Sequence, residues 1–495
     1  MQFNRQSGLF LHLTSLPGPH GIGDLGEGAR EFLSFLEQAE QQFWQFCPLG
    51  PTSSAHGNSP YQSFSAFAGN PLLISLERLV DDGWLCTDDL EPVPAFDRHE
   101  VDYEQVADYK REKLRTAHET FRQTATEADR TDLAAFREDE QWVDDYALFR
   151  ALKAKHDKQA WVEWPEPIRT REPEALEAAR EELSEELEYR TLTQYWFDQQ
   201  WQAFKQDAED AGITLVGDVP IYVGLDSADV WSSPEAFQLD EGNRPTVVAG
   251  VPPNAGDSGQ KWGNPLYDWK RLAENNYDWW TRRLERLFEQ VDVTRLDHFQ
   301  GFLEYWAIPT HAESAAEGEW REGPGAAFFK AIDEQLGELP FIAEDLGFPN
   351  AELTALMDRF SFPGMRVPQY ADWCQGGNQH QPMNYPKNSV GYTATHDTDT
   401  FVGYYEGLSD RQRECLHYNL GVDGSEINWS IIEAVWRSEA VLACTTMQDL
   451  LGLDSHARFN TPGTAKGNWS WRVTSDGLDE EIATRLGTMT QLELR

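Results

Sequence analysis

The stretch WWTRRLERLFEQVDVTRLDH, residues 279–298, decides the fold. Its first two-thirds repeat apolar residues at helical spacing, and from Val291 the apolar residues alternate as in a short buried strand. Because alternate strand residues share a face, Arg295 and Asp297 project together at the end of the strand. An amphipathic helix that leads at once into a short buried strand indicates a parallel sheet built from alternating helices and strands.

The same order recurs in two other segments. Residues 199–220 end in a strand that carries Asp218, and residues 326–347 end in one that carries Glu344 and Asp345. Five further apolar segments have the character of strands: GLFLHL (8–13), FWQFCPLG (43–50), PGMRVPQY (363–370), VGYTATHD (390–397) and EAVLACTTMQDLLG (439–452). Eight strands separated by helices predict an α/β fold of the (β/α)8 TIM-barrel type, whose chemistry lies at the carboxyl ends of the strands. An open, doubly wound sheet fits the alternation nearly as well, but no glycine-rich phosphate loop follows any of these strands.

The 495 residues are predicted to form one catalytic (β/α)8 domain, residues 1–495, with two insertions. Residues 51–192 are dense in charge and in helix formers, which predicts a largely helical subdomain inserted between the second and third strands. Residues 221–270 are rich in Gly, Pro and Trp, which predicts an inserted loop region that rims the active site.

The composition is strongly acidic. The 84 acidic residues outnumber the 41 basic residues and give a formal net charge of −43. Such a charge repels phosphate backbones and anionic lipid surfaces, so neither a nucleic acid nor a membrane partner is expected. The negative charges repel one another, and molar salt would screen this repulsion. The composition therefore favours a protein from the salt-rich cytoplasm of a halophile, and an acidic mesophilic protein is the alternative.

The cysteines and the N-terminal segment bear on the compartment. The five cysteines form no CxxC pair, which predicts free core thiols in a reducing compartment and neither a disulfide framework nor a zinc site. The N-terminal segment lacks a signal-peptide pattern and no apolar run reaches the length of a membrane span, so a cytoplasmic location is expected.

Two strand-end acids have complementary surroundings. An arginine favours the ionised form of a neighbouring carboxylate, which makes Asp297 a candidate nucleophile; an internal salt bridge that closes the barrel is the alternative. Glu344 follows the apolar run PFIA, where desolvation should raise its pKa and keep it protonated; a helix N-cap is the alternative. Neighbouring barrel strands can hold two carboxyl groups about 5 to 5.5 Å apart, the separation for glycosidic bond cleavage with retention of configuration.

A third acid, Asp397, follows His396 two strands further round. In a sugar site such a pair would hold the hydroxyls of a ring that is being distorted towards the transition state. Metal binding competes with this interpretation, but no third ligand stands nearby at metal-binding spacing, so neither a metal nor another cofactor is expected.

Seven ordered motifs support a family resemblance, together with GLFLHLTSLPGPHGIGDLG near the N-terminus. They are HGNSPYQSFSAFAGNP (56–71), GDVPIYVGLDSADVW (217–231), GQKWGNPLYDW (259–269), TRLDHFQG (294–301), AEDLG (343–347), TATHDTDT (393–400) and RFNTPGTAKGNWSWR (458–472). Over nearly the whole chain they resemble the 4-alpha-glucanotransferases of glycoside hydrolase family 77, the amylomaltases or disproportionating enzymes. The resemblance implies a barrel of the alpha-amylase clan without that clan's usual carboxy-terminal β domain.

The implied activity is transfer of α-1,4-glucan segments to the 4-hydroxyl of an acceptor glucan or glucose by a retaining double displacement. The implied substrates are malto-oligosaccharides and starch- or glycogen-type α-glucans, with no cofactor and no obligate protein partner. By motif, Asp297 is the nucleophile, Glu344 the general acid and base, and Asp397 the transition-state stabiliser. The implied substrate-binding residues are Tyr61, Asp218, Trp262, Asn264, Arg295, His298 and His396.

The chain departs from the family pattern in two places. Thr398 stands after Asp397 where relatives usually have asparagine. Residues 254–256 read Asn-Ala-Gly where relatives usually have aspartate and an aromatic residue, and the loop is one residue shorter. The second change affects the acceptor side and predicts a raised ratio of hydrolysis to transfer. A plain α-glucan hydrolase of the same clan and a noncatalytic glucan-binding module remain as alternatives.

Overall fold

The computed structural model describes residues 3–254, 258–347, 350–464 and 466–495. Twelve β-strands occur within these ranges: β1 (Gln6–Phe10), β2 (Phe43–Gln45), β3 (Thr214–Pro220), β4 (Val247–Val251), β5 (Gln260–Pro265), β6 (Val293–Asp297), β7 (Glu304–Pro309), β8 (Glu319–Glu322), β9 (Phe341–Ala343), β10 (Gly364–Arg366), β11 (Ser389–Tyr392) and β12 (Leu442–Thr446).

The same ranges contain nineteen α-helices: α1 (Glu27–Gln38), α2 (Leu76–Asp81), α3 (Tyr103–Thr124), α4 (Glu127–Asp139), α5 (Val143–Lys155), α6 (Glu166–Arg169), α7 (Pro173–Glu182), α8 (Ser184–Asp210), α9 (Ala228–Ser232), α10 (Trp269–Glu274), α11 (Asp278–Gln290), α12 (Gln300–Leu303), α13 (Gly325–Leu336), α14 (Ala351–Phe360), α15 (Phe401–Gly407), α16 (Asp410–Leu420), α17 (Ile427–Arg437), α18 (Met447–Leu450) and α19 (Glu480–Leu492). None of these helices is both long enough and apolar enough to cross a membrane.

Eight strands close into a barrel in the order β1-β12-β11-β10-β9-β6-β3-β2. Every neighbouring pair is parallel. Each of the eight segments predicted to hold a barrel strand overlaps one of these eight strands, although β1 begins two residues and β11 one residue before the predicted segment. The predicted (β/α)8 barrel is therefore confirmed.

Strand β6 shows how the sequence pattern builds two layers. Val293 packs in the barrel interior with Val216 of β3. Leu296 points the other way and joins the outer apolar layer, which includes Leu284 of α11. Because side chains alternate along a strand, Arg295 shares the interior face with Val293 and continues it towards the end of the strand. The apolar pattern of α11 and β6 therefore determines that an arginine lies inside the barrel.

A second sheet has the order β5-β4-β7-β8 and antiparallel pairing throughout. Strands β4 and β5 lie within residues 221–270, where the sequence analysis expected loop, and β7 and β8 follow β6. Ordered strands form here because the apolar run of β4 pairs with β7, which is distant in sequence. The division of the chain into one domain with insertions at 51–192 and 221–270 stays a prediction.

Seven helices, α2 to α8, fill the connection between β2 and β3. Lys110 of α3 joins this connection to the segment after β1, because its buried Nζ lies 2.7 Å from Asp24 Oδ2 and also donates to two backbone carbonyls. His20, Asp24 and Glu77 together have the spacing of a cation site. The ammonium group of Lys110 supplies the positive charge beside Asp24.

The cysteines differ from expectation. Cys374 and Cys415 form a disulfide with a Cα–Cα distance of 5.2 Å, so the prediction of free thiols is wrong for this pair. Cys86 is exposed rather than a core residue, whereas Cys47 and Cys444 are buried thiols as expected. The bonded pair is 41 residues apart in sequence, and only the packing of α16 beside the segment after β10 brings the two together.

Candidate active site

A cleft of about 1230 Å³ opens at the carboxyl ends of the barrel strands. This volume exceeds that of most small-molecule pockets and leaves room for an elongated ligand. Nine of the ten site residues named from the sequence line it: Tyr61, Trp262, Asn264, Arg295, Asp297, His298, Glu344, His396 and Asp397. The tenth, Asp218, does not.

Arg295 is the buried centre of the site. Its Nη1 donates to both carboxylate oxygens of Asp218, at 2.9 and 2.7 Å, and its Nη2 lies 2.8 Å from Asp297 Oδ1. Burial alone would lower the pKa of Arg295, but these carboxylates raise it well above its usual value, so the guanidinium stays charged. The arginine closes the barrel through Asp218 and also holds Asp297, whose side chain keeps 27% of its surface exposed in the cleft.

Asp218 lies one layer below the cleft. The register of β3 and β6 sets Asp218 level with Arg295, and it sets Pro220 level with Asp297. The Asp218 side chain is fully buried and accepts a 3.0 Å hydrogen bond from the hydroxyl of Tyr61. Burial raises the pKa of Asp218 to about 6, against the opposing effect of Arg295 and with the support of the Asp297 charge. Its contacts orient Arg295 and Tyr61.

Glu344 stands beside Asp297 because β6 and β9 are neighbours, with Leu296 level with Ala343. Its Oε2 accepts a 2.7 Å hydrogen bond from the backbone N–H of His298, and its Oε1 accepts one from the N–H of Leu346. Burial and, to a smaller extent, the charge of Asp297 raise the pKa of Glu344 to about 7, against the opposing effects of Arg295 and the two amides. The carboxyl group therefore exchanges its proton near neutral pH.

His298 links this pair to the rim of the cleft. Its backbone has a φ of 51°, in the left-handed region, and directs the N–H at Glu344. The imidazole meets Trp262 edge-on, with 5.0 Å between ring centroids. Burial lowers the pKa of His298, which favours the neutral ring, and its Nε2 has no hydrogen-bond partner among the described residues.

Asp397 is held as an anion. Its Oδ2 lies 3.2 Å from His396 Nε2, its Oδ1 accepts a 2.6 Å hydrogen bond from Asn460, and its backbone carbonyl accepts one from Arg458. Burial favours the neutral acid, but His396 and Asn460 together hold the pKa of Asp397 well below its usual range. The pKa of His396 is raised, because the charge of Asp397 outweighs burial. The sequence analysis named neither Asn460 nor Arg458, although both lie in the motif RFNTPG.

Thr398 is the first departure from the family pattern. Its Oγ1 accepts a 2.9 Å hydrogen bond from the backbone N–H of Thr395 and also bonds to the carbonyl of the same residue. These contacts close the turn that carries Asp397, and neither of them involves the carboxylate of Asp397.

Aromatic rings form the wall next to Asp397. Tyr61 stacks on His396 with 5.1 Å between centroids and an interplanar angle of 22°, and Trp469 lies 5.8 Å from Tyr61. All three line the cleft. Flat apolar rings of this kind suit the faces of a sugar ring. Trp469 was missed from sequence, although it lies in the motif GNWSWR.

Trp262 and Asn264 of β5 also line the cleft. Trp262 donates from Nε1 to Gln260, and Asn264 donates to the carbonyl of Val223 and accepts from Gln62. The second departure, at residues 254–256, meets the cleft at Asn254. Ala255 and Gly256 lie outside the described residues.

The arrangement fits one kind of chemistry. A carboxylate held by an arginine stands beside a carboxyl group that titrates near pH 7, and a third, anionic carboxylate lines the same cleft. This is the equipment for cleaving a glycosidic bond with retention of configuration. Among the described residues, the only group with metal-binding spacing is His20, Asp24 and Glu77, which lies outside the cleft.

Comparisons with known proteins agree with this chemistry. The family model described as 4-alpha-glucanotransferase matches residues 11–478. A 4-alpha-glucanotransferase from Thermus thermophilus is 45% identical over 99% of both chains, and one from Synechocystis sp. is 44% identical over 99% of this chain and 97% of its own. The solved amylomaltase from Streptococcus agalactiae superposes with a TM-score of 0.96 at 38% identity, over 99% of both chains. The chain therefore belongs to glycoside hydrolase family 77, the family of the 4-alpha-glucanotransferases.

Proposed function

We propose that the cleft carries out the glucan transfer of this family by a retaining double displacement in which Asp297 is the nucleophile. The observation that carries the proposal is the environment of the two neighbouring acids. Asp297 is fixed by Arg295 yet open to the cleft, and burial and the charge of Asp297 raise the pKa of Glu344 to about 7. A nucleophile and a proton donor are thereby paired near neutral pH.

In the first displacement, an Asp297 oxygen attacks C1 of an α-1,4-linked glucosyl unit while Glu344 donates its proton to the glycosidic oxygen. The bond from C1 to that oxygen breaks, and the departing glucan leaves with a free 4-hydroxyl. The donor segment remains attached to Asp297 as a β-linked ester. Asp397 and His396 hold the ring hydroxyls while the ring flattens.

In the second displacement, Glu344 removes the proton from the 4-hydroxyl of an acceptor, whose oxygen attacks C1 and releases Asp297. The result is a new α-1,4 bond and a protonated Glu344, as at the start. Two inversions at C1 restore the α configuration. Transfer exceeds hydrolysis when an acceptor sugar occupies the cleft and excludes water.

The binding residues divide into contact and positioning roles. Tyr61 and Trp262 present aromatic rings to the cleft, and the imidazole of His298 lines it as well. Asp218 and Asn264 are buried, so we assign them the positioning of Arg295, Tyr61 and the rim.

The proposed substrates are malto-oligosaccharides and starch- or glycogen-type α-glucans. The solved amylomaltase from Streptococcus agalactiae is a complex with acarbose, which supports a carbohydrate ligand for this chain. The net charge of −43 also favours a neutral ligand over an anionic one. We keep the cytoplasm as the proposed location.

The test is incubation with pure maltotriose in molar potassium chloride, followed by chromatography of the products over time. Glucose together with chains longer than maltotriose is the expected result. Glucose and maltose without longer chains would instead establish the hydrolase. Maltotriose binding without any product would establish the noncatalytic binding module.

We also propose that the altered acceptor loop changes the ratio of hydrolysis to transfer. Asn254 lines the cleft where relatives usually carry the start of an aspartate-aromatic pair. Without an aromatic side chain to shield the ester at Asp297, water competes better with the acceptor. We expect a higher ratio of new reducing ends to transfer products than in relatives that carry the aromatic residue. An equally low ratio would contradict this.

A further inference from the structure

We propose that Trp320 is a stacking platform for a glucosyl unit of long acceptors, at the far end of the acceptor side of the cleft. The inference rests on the proposed function, because it uses the direction in which the substrate lies across Asp297 and Glu344. Trp320 was not among the residues expected from the sequence. It belongs to β8, in the second sheet, and it lines the same cleft as the catalytic acids.

The contacts of the cleft separate a donor side from an acceptor side. Glu344 protonates the leaving oxygen and later activates the acceptor, so the acceptor lies on the Glu344 side of Asp297. Glu344 contacts the backbone of His298, and Gln300, two residues further, donates to Glu304 at the start of β7. Strand β7 pairs directly with β8, which carries Trp320. The rings of Tyr61 and Trp469 pack beside His396, which precedes Asp397.

Neighbouring residues fix the position of the Trp320 side chain, yet much of its surface stays exposed. Trp306 of β7 is its direct cross-strand partner, with ring centroids 5.2 Å apart and an interplanar angle of 67°. Trp306 is itself anchored, because its Nε1 donates a 2.8 Å hydrogen bond to the carbonyl of Ala315. A Cβ at Gly318 would lie 2.4 Å from that nitrogen, so glycine makes room for the anchor. Trp320 nevertheless keeps 42% of its surface exposed.

Trp320 differs from the other exposed apolar side chains. The large ones among the described residues are Val93, Trp320, Tyr370, Met383, Tyr418, Leu492 and Leu494. Only Trp320 and Tyr370 of this set line the cleft. A tryptophan that is fixed by its neighbour and presented to a carbohydrate cleft is an aromatic surface for a sugar ring.

Polar groups near Trp320 suit a neutral, hydroxylated ligand. Glu304 Oε1 accepts hydrogen bonds from the amides of Gln300 and Asn350, both at 3.2 Å, and all three residues line the cleft. Within the described part of the chain, Glu304 has no ion-pair partner. A carboxylate flanked by amides accepts from hydroxyls, and with a ring face it provides the few directed polar contacts of a sugar site.

The experiment compares two acceptors in the presence of one common donor. The enzyme is supplied with α-glucosyl fluoride as donor, and kcat/KM is measured for glucose and for maltoheptaose as acceptors in the unmodified protein, Trp320→Ala and Trp320→Phe. Tyr418→Ala, an exposed aromatic on α16 outside the cleft, is the matched control. For Trp320→Ala we expect the maltoheptaose-to-glucose ratio to fall about tenfold through KM, because one aromatic face is lost. Trp320→Phe should restore most of the ratio, and Tyr418→Ala should leave it unchanged.

An unchanged ratio in Trp320→Ala would overturn the proposal, as would equal losses for both acceptors. A second measurement distinguishes a wrong assignment of Trp320 from a wrong assignment of the transferase activity. Binding of maltoheptaose is measured by calorimetry in Asp297→Asn, with and without Trp320→Ala. Weakening of about tenfold supports the platform even if the unmodified enzyme transfers to no acceptor, and equal affinities refute it.

Discussion

Replacing Glu344 with glutamine should change the pH dependence of stability in a defined direction. Burial and the Asp297 charge raise the pKa of Glu344 from its ordinary value of 4.5 to about 7 in the folded protein. Because the folded value is the higher one, the stability that Glu344 contributes is complete below pH 4.5 and is lost as the pH rises through 7. A glutamine at this position cannot ionise, so the variant escapes that loss.

The expected magnitude follows from the same values. A rise from 4.5 to about 7 in a largely buried group corresponds to about 2 to 3 kcal/mol of stability that only the unmodified protein loses between pH 5 and pH 9. The free energy of unfolding of Glu344→Gln relative to the unmodified protein should therefore increase by about that amount over this range. Activity should fall by about 10² to 10⁴ with glucan donors, because the proton donor is absent.

The assay is denaturant unfolding at fixed molar salt, at several pH values, for both proteins. Glu352→Gln, an exposed position on α14, is the control for the loss of one surface carboxylate. A difference for Glu344→Gln that does not vary with pH would refute the reasoning that a buried, protonatable carboxyl group lies beside Asp297. Full transfer activity in Glu344→Gln would remove Glu344 from the acid-base role.

Four other outcomes are expected. Asp297→Asn should form no covalent glycosyl intermediate detectable by mass spectrometry, and substantial residual transfer would exclude Asp297 as nucleophile. Arg295→Met leaves the carboxylates of Asp218 and Asp297 without their shared cation, so unfolding experiments should show a loss of about 3 to 5 kcal/mol. Reduction of the Cys374–Cys415 bond, which spans 41 residues, should lower the free energy of unfolding by up to about 4 kcal/mol, whereas equal stability with and without reductant contradicts this. With a net charge of −43, the midpoint of thermal unfolding should rise steeply as potassium chloride increases to molar levels, and cooperative folding with full activity in dilute buffer would argue against a halophilic adaptation.

Local patterns carried most of the fold prediction. Each barrel strand is a short apolar run, several follow an amphipathic helix, and both periodicities are visible within about twenty residues. The pairing of Arg295 with Asp297 was also visible locally, because the two residues stand two apart on one strand. The second sheet was missed because β4 pairs with β7 across more than fifty residues of chain, and its short strands resemble loop.

Contacts between distant segments escaped the sequence analysis for a related reason. Asn460 and Asp397 are 63 residues apart in sequence, and neither their residue types nor their spacing predicts the hydrogen bond between them. The disulfide between Cys374 and Cys415 likewise depends on where α16 packs. The only signal for Asn460 and Trp469 was their presence in motifs already noted.

The sequence by itself determined the alternation of helices with short strands and the position of the three acids in or just after these strand segments, because hydrophobic periodicity and the order of residues along a strand are local properties. The tertiary structure decided which acids meet the cleft. Asp218 and Asp297 lie on neighbouring barrel strands, yet the stagger between β3 and β6 sets Asp218 level with Arg295 and leaves Asp297 two residues higher. One carboxylate is consequently sealed beneath the site and the other is open to ligand, a difference that depends on the register between strands and is absent from either strand alone.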